Sequence, residues 1–469
     1  MGDLSTLSFI CFILCILAVC AFEFVNGFHD TANAVATVIY TGTLQPKQAV
    51  IWAGFWNFVG VCTGGVTVAM GIVKLLPIAD MMNLGLSANI AMIFSVLIAA
   101  IFWNVFTWYY GIPCSSSHTL FGSLIGIGIA FQMKHGGDGP NWVKVGETLM
   151  SLLISPTVGF ALAIGLMYLF RVFFKNNQAL FTAPAKGSKP PIWIRAFLIA
   201  TCTGVSYSHG SNDGQKGVGL MMIILMMFLP FQFALNTNNF TEGSFASKVF
   251  TVGKSFNLTA CEASIAKIEA ALVTSGNTSF IKDLGELKDK LTVLKTEDNG
   301  KNRFQVRKKI QKLTKNMGEE FKKIEAFKDK EALKTLKTEV KTLTDYTDWA
   351  PVWVIALISL SLGIGTMIGW KRIVVTIGEK IGKTHLTYAQ GMVAELMAAS
   401  TIQLSTWLGK PVSTTHILSS AITGTMVATG GTKNLQPETI RNIGAAWVLT
   451  LPVTILVSGG LYWLFSLFV

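Results

Sequence analysis

Five stretches of this 469-residue chain run with almost no charge for lengths that suit a bilayer. They are "LSFICFILCILAVCAF", "IWAGFWNFVGVCTGGVTVAMGIV", "IAMIFSVLIAAIFW", "ISPTVGFALAIGLMYLF" and "WVLTLPVTILVSGGLYWLF". A helix needs about 20 apolar residues to cross hydrocarbon, and these runs approach or reach that length. About ten such segments can be marked along the chain, on the same criterion. A backbone in lipid must satisfy its own hydrogen bonds, which leaves helices or closed barrels. Runs of this length and continuity predict an all-α polytopic membrane protein with about 10–12 membrane segments. Composition agrees: 51% of residues are hydrophobic and 14% charged, where a soluble chain carries about a quarter.

The first run does not read as a cleaved signal peptide. Its flank holds Asp3 and no Lys or Arg, and Val19 stands where a lipoprotein site would want a small residue. It is expected to be the first membrane helix. The seven Cys show no C-x-x-C spacing and mostly lie inside apolar runs, so they read as small packing residues, with no disulfide frame or resident metal site. The net charge of +12 is spread over loops and is not a nucleic-acid signal.

From Asn236 to Asp348 the chain becomes polar and holds 21 of the 38 Lys and Arg and 16 of the 26 Asp and Glu. Apolar residues recur there at three- and four-residue spacing, which predicts amphipathic helices. This segment reads as a solvated helical insertion, with a partner-binding domain as the alternative. The expected organisation is a first membrane repeat over 1–175, a basic cytoplasmic linker over 176–191, the start of a second repeat over 192–235, the insertion over 236–348, and the rest of the second repeat over 349–469. Orientation follows the basic loops. Arg171 to Arg195 has five basic residues and no acid, and Lys371 to Lys383 has one acid among several basic residues. With both cytoplasmic, and one span between Ala350 and Trp370, the insertion is expected to lie outside.

Two polar motifs occur twice. "GIPCSSSHTLFG" (Gly111 to Gly122) is echoed by "GKPVSTTHILSS" (Gly409 to Ser420), and "NGFHDTANAVA" (Asn26 to Ala36) by "HGSNDGQKGV" (His209 to Val218). Aligning Gly27 with Gly210 pairs His29 with Asn212, Asp30 with Asp213 and Asn33 with Lys216. With the insertion removed, both halves carry the two motifs in the same order at nearly the same spacing. Such an internal repeat suggests the inverted topology of secondary transporters.

The chemistry of the motifs points to an ion site. Gly, Pro and Asn interrupt helices and free backbone N–H and C=O groups, which is tolerated in a membrane only where they line a cavity. Pro followed by three hydroxyl residues and a helix sets Ser115, Ser116 and Ser117, and likewise Ser413, Thr414 and Thr415, at a positive helix end that suits an anion. Asp30 and Asp213 cannot welcome an anion unaided. They more naturally take the proton or cation that accompanies it, since an acid inside a membrane is a functional hypothesis by default. Glu23 and Glu395 also sit in apolar surroundings, as further functional acids or as acids of helix ends. Lys216 has the choice of Asp213, Asp30 or the anion itself. A lone Ser-rich turn usually bonds its own backbone and a lone buried His usually packs; duplication of both motifs argues for a substrate site.

"NGFHDTANAVATVIYTGTL", "SHGSNDGQKGVGL", "PCSSSHTLFG", "GIGTMIGWKR" and "PVSTTHILSS" together resemble the inorganic phosphate transporter (Pit) family. The resemblance is best to its bacterial low-affinity members and covers nearly everything but the insertion. It implies a fold of inverted repeats with broken helices and re-entrant hairpins, and symport of inorganic phosphate across a bacterial inner membrane. In that bacterial group it implies proton coupling, often with phosphate carried as a neutral divalent-metal complex, and no cofactor. Other members use sodium, and some relatives carry sulfate. By resemblance, Asp30, Asn33 and Asp213 belong to the substrate and coupling-ion site, with His29 and Asn212 beside them, and the six hydroxyl residues sit around phosphate. His29 stands where many relatives have Asn, and Lys216 where the broader family repeats Asn. Both departures weaken a symmetric two-sodium site and favour protons. Phosphate and membrane lipid are the expected partners, with a homodimer possible. An intramembrane hydrolase is disfavoured, because a nucleophile needs one activated Ser rather than two matched sets. An anion channel is separated by its inability to concentrate substrate.

Overall fold

The computed structural model describes residues 5–185, 189–237, 256–274, 279–321 and 330–468. Among these residues the chain is helical throughout, and its single β-bridge joins Gly382 to Leu435. It divides into two compact units, Met1–Met221 with Val354–Val469, and Met222–Trp353.

The first half of the chain builds α1 (Thr6–Asp30), α2 (Ala32–Tyr40), α3 (Pro46–Thr63), α4 (Thr67–Val73), α5 (Ile78–Met82), α6 (Leu86–Tyr109), α7 (Ser116–His135) and α8 (Trp142–Phe173). Next come α9 (Ile192–Phe228) and α10 (Pro230–Phe233), then α11 (Leu258–Thr274), α12 (Ile281–Thr296), α13 (Gly300–Glu320) and α14 (Lys330–Asp345). The chain closes with α15 (Val352–Thr366), α16 (Lys371–Val375), α17 (Tyr388–Trp407), α18 (Thr414–Gly430) and α19 (Pro437–Phe465). Four described spans are long and apolar enough to cross a membrane: α1 with α2, α6, α8 and α19. Counting the bent pairs α3–α4 and α15–α16 as one span each makes six. This is fewer than the ten marked from apolar runs. The helices α7, α9 and α17 carry buried polar groups along their length, and α18, at 17 residues, is also short for a span.

In the first unit the helices pack reciprocally. α7 lies along α19, and α18 lies along α8; α7 also packs on α6, as α18 does on α17. Small residues permit the close crossings. A Cβ on Gly27 of α1 would stand 2.4 Å from the Leu362 carbonyl of α15, and one on Gly210 of α9 would stand 2.1 Å from the Asn57 carbonyl of α3. These two glycines are the pair aligned between the motifs, and each presses its helix against the other half of the chain. Around them α2, α3, α8, α9, α17 and α18 share one apolar core that includes Val35, Ala49, Leu198, Val393, Ile417 and Ala421.

The glycine-rich motifs do not break their helices as expected. The α1–α2 junction is a single residue, Thr31, with helical backbone angles. "HGSNDGQKGV" lies within α9, which is continuous from Ile192 to Phe228. Close approach, rather than interruption, accounts for Gly210. The interruptions that do occur are at the hairpin turns, Gly111–Ser115 between α6 and α7 and Gly409–Ser413 between α17 and α18.

In the second unit α11 to α14 pack in a ring, each against the next and α14 back against α11. Leu284, Leu287 and Leu291, and likewise Val306, Ile310 and Leu313, recur at three- and four-residue spacing and are fully buried in its core. Each such side chain contributes roughly 1.5–3 kcal/mol of burial. Charges face outward, as in the Lys288–Glu269 pair at 2.5 Å. Arg303 is buried, forks onto both carboxylate oxygens of Asp298 at 2.6 and 2.7 Å, and stacks on the Phe231 ring. Burial pushes the Arg307 guanidinium down to about 10.

Candidate substrate and coupling-ion site

Each hairpin turn ends in a capped helix. The Ser115 hydroxyl accepts from the His118 N–H at 3.2 Å, and the Ser413 hydroxyl from the His416 N–H at 3.2 Å. Ser115 and Ser413 therefore serve α7 and α18 as N-caps. The next two N–H groups of each helix, at Ser116 and Ser117 and at Thr414 and Thr415, lie ahead of the intrahelical ladder. Both tips are buried and face one another: the His118 and His416 rings stand 4.5 Å apart, and His416 stacks on Trp447 at 3.9 Å.

Asp30 is the meeting point of the tips. Its carboxylate accepts from the Ser116 hydroxyl of the first tip at 2.8 Å and from the Thr415 hydroxyl of the second at 2.6 Å. His29 Nδ1 stands 3.1 Å from the same group. Asp213 is met differently, by the Lys216 ammonium at 2.7 Å. Lys216 also donates to the Ser117 hydroxyl and to the Val412 carbonyl, the latter at 3.1 Å, and Ser117 itself donates to Val412 at 2.8 Å. The lysine thus ties Asp213 to both tips.

The remaining contacts fall into matched pairs. Asn33 Nδ2 donates to Thr415 of the second tip at 3.1 Å, as its aligned partner Lys216 reaches Ser117 of the first. His29 Nε2 stands 3.2 Å from the Thr107 hydroxyl of α6, and its aligned partner Asn212 donates to the Thr406 hydroxyl of α17 at 2.9 Å. Asn212 also donates to the Lys410 carbonyl and accepts from the Val412 N–H. These contacts brace the second turn. One pair is unmatched. Ser116 donates to Asp30, whereas the aligned Thr414 hydroxyl is buried with no hydrogen-bond partner among the described residues.

The two other acids separate. Glu395 accepts from Thr37 and from Thr201 at 2.5 Å, helix-to-helix contacts that include no tip residue. Glu23 accepts from Asn26 at 3.2 Å and packs on Gly217, the neighbour of Lys216; its Oε1 is buried with no hydrogen-bond partner among the described residues. Glu23 therefore stands beside the charged centre and Glu395 apart from it.

The residue that sequence reading missed is His209. Its Nε2 lies 3.7 Å from Asp30 and 3.7 Å from Asp213. The three offer ligand atoms all within 4.8 Å of one another, a set that would suit a cation although no metal ligands were expected. Asn57 fixes the ring by hydrogen bonding to Nδ1 at 2.8 Å. The i, i+4 spacing from His209 to Asp213 was the available signal.

Residues 26–458 match the phosphate transporter family. The low-affinity inorganic phosphate transporter PitA of Escherichia coli K12 is 42% identical over 486 residues, covering 96% of each chain. PitB of the same organism is 41% identical over 490 residues, again covering 96% of each. The low-affinity inorganic phosphate transporter of Buchnera aphidicola subsp. Acyrthosiphon pisum is 41% identical with the same coverage. Among solved structures, one described as the sodium-dependent phosphate transporter aligns with a TM-score of 0.62 at 18% identity, covering 98% of this chain and 100% of that one.

Proposed function

The chain belongs to the phosphate transporter family, and from that premise we propose that it imports inorganic phosphate across a bacterial inner membrane by proton symport. The observation that carries the reading is Asp30, one buried carboxylate receiving a hydroxyl from each of two opposed tips. Phosphate would enter between those tips. The Thr414 hydroxyl and the first-turn N–H groups of α7 and α18 would receive it, since helix N-termini attract anions. Ser116 and Thr415, now on Asp30, would turn to the substrate as the carboxylate gives up its charge to a proton. Asp213 needs no such partner while Lys216 neutralises it. The halves would then rock about the site to alternate access, consistent with two inverted repeats.

A second reading concerns the cargo. The Asp30, His209 and Asp213 set would hold a divalent metal that enters with phosphate as a neutral complex. The metal would relieve the repulsion between anion and acids. Sodium coupling is the remaining alternative. Radiolabelled phosphate uptake into proteoliposomes tests all three, under an imposed proton gradient, an imposed sodium gradient, and each with a divalent-metal chelator. Accumulation under the proton gradient alone supports the first reading, and its abolition by chelator supports the second. Accumulation that requires sodium overturns proton coupling, and equilibration without accumulation overturns symport.

A further inference from the structure

The end of α18 remote from the tip borders a cavity of about 600 Å³. Its walls come from the end of α8, the segment that follows, the loop before α17 and the turn after α18. Arg171, His385 and Lys433 line it together with the hydroxyls of Thr182, Thr384 and Thr387, and no Asp or Glu is among its lining residues. The volume falls in the range of ligand-binding clefts.

Arg171 and Lys433 share this cavity wall with no acid to offset them, and like charges gathered this way favour an anion between them. Arg171 is partly accounted for. Its two terminal nitrogens donate to the carbonyls of Ala428 and Thr429 at 2.9 and 3.2 Å, on the negative end of α18. A guanidinium has five N–H donors, so most of its fork remains available. His385 and Lys433 make no hydrogen bond or ion pair among the described residues. Thr387 caps α17 with its hydroxyl, 3.2 Å from the Gln390 N–H, so a 20-residue helix also starts at this cavity. A planar Arg fork, an exposed ammonium, an imidazole and a helix start together match a tetrahedral oxyanion.

We propose that this cavity binds a phosphate-bearing anion, either the headgroup of an acidic phospholipid or inorganic phosphate itself. The basic loops flanking it belong to the face expected to meet acidic lipid, where Lys and Arg are drawn to the headgroups. Both ligands present the same charged phosphoryl oxygens. The site communicates with the tips through a single element, since α18 carries Thr429 at the cavity and Thr414 and Thr415 at the other end. A bound anion steadies the helix that presents the second tip. None of this depends on which ion drives transport.

The test uses the full-length protein in detergent, as wild type and as the His385→Gln, Lys433→Gln double variant. In one arm, Tm is followed during titration with short-chain phosphatidylglycerol or with phosphatidylcholine. In the other, calorimetry counts the inorganic phosphate bound per chain. A rise in Tm specific to phosphatidylglycerol, with affinity weakened on the order of tenfold or more in the variant, assigns the headgroup. One phosphate more per wild-type chain than per variant chain assigns the free anion. Identical lipid response and identical phosphate stoichiometry in the two proteins overturn the proposal. Lys433→Glu alone, a single exposed change, gives the same readouts should the double variant fold poorly.

Discussion

Asp30 and Asp213 hold matching places in the two motifs, and their surroundings differ. Asp30 is met by hydroxyls from both tips and by His29. Asp213 is met by an ammonium three residues along its own helix. The change of Asn33 into Lys216 at the aligned position makes the difference. Hydroxyl donors stabilise a carboxylate but can be withdrawn and offered to another anion, whereas Lys216 is an ion-pair partner held on the acid's own helix. The two motifs supply matching positions, and on the proposed reading the exchangeable charge belongs to Asp30, the acid that the Lys216 ammonium does not pair. The same asymmetry leaves Thr414 without the partner that Ser116 has.

The largest expected effect falls on the lysine. Lys216→Met leaves Asp213 buried and uncompensated, which is expected to destabilise the protein by about 3–5 kcal/mol. Adding Asp213→Asn removes the stranded charge and should restore most of the lost stability. Thermal unfolding of purified single and double variants checks this; a double variant no more stable than Lys216→Met would break the assignment of Asp213 as the charge-paired acid.

Ser116→Ala and Thr415→Ala come next. Each removes a hydrogen bond to a charged acceptor, a loss of about 1.5–3 kcal/mol, and should raise the phosphate KM on the order of ten- to a hundredfold in transport assays. Thr414→Ala removes a hydroxyl that bonds nothing in this structure, so stability should hold while KM rises by about tenfold. Unchanged uptake kinetics in all three would remove the tips from phosphate binding. The smallest effect is expected from replacing 236–348 by a short flexible linker, because no site residue lies in that segment. Some uptake should remain, and complete loss in a correctly inserted protein would give the insertion a part in transport. A Cys at the exposed Lys301 should react with an impermeant thiol reagent added outside intact cells; labelling only after lysis would reverse the topology.

The apolar spans and the doubled motifs were legible because each depends on residues adjacent in the chain. The helical repeat in the insertion was legible from its Leu and Ile spacing. The course of α9 was not: Gly210 and Gly214 look like helix breakers until the crossing with α3 shows what their missing side chains make room for. The approach of His209 to Asp30 arises only when α1 and α9 come together, so the order of residues in the chain does not show it. Glu395 looked equal to Glu23 in apolar context, and only the packing that gives it Thr37 and Thr201 separates them. The alignment places Asn212 beside the expected ion site, but its contacts to the Lys410 carbonyl and the Val412 N–H arise only from the packing of α9 on the second turn.

The most direct test of this asymmetry is radiolabelled phosphate transport in proteoliposomes carrying Asp30→Asn or Asp213→Asn. Asn mimics a protonated acid but releases no proton. Asp30→Asn should lose accumulation under a proton gradient while retaining phosphate counterflow, which needs no net proton movement. Asp213→Asn should also lose accumulation, because an unpaired Lys216 is left at the tips, and Lys216→Met in that background should recover part of it. Gradient-driven accumulation by Asp30→Asn at the wild-type level would contradict the assignment of Asp30 as the coupling carboxylate and turn attention to Glu23.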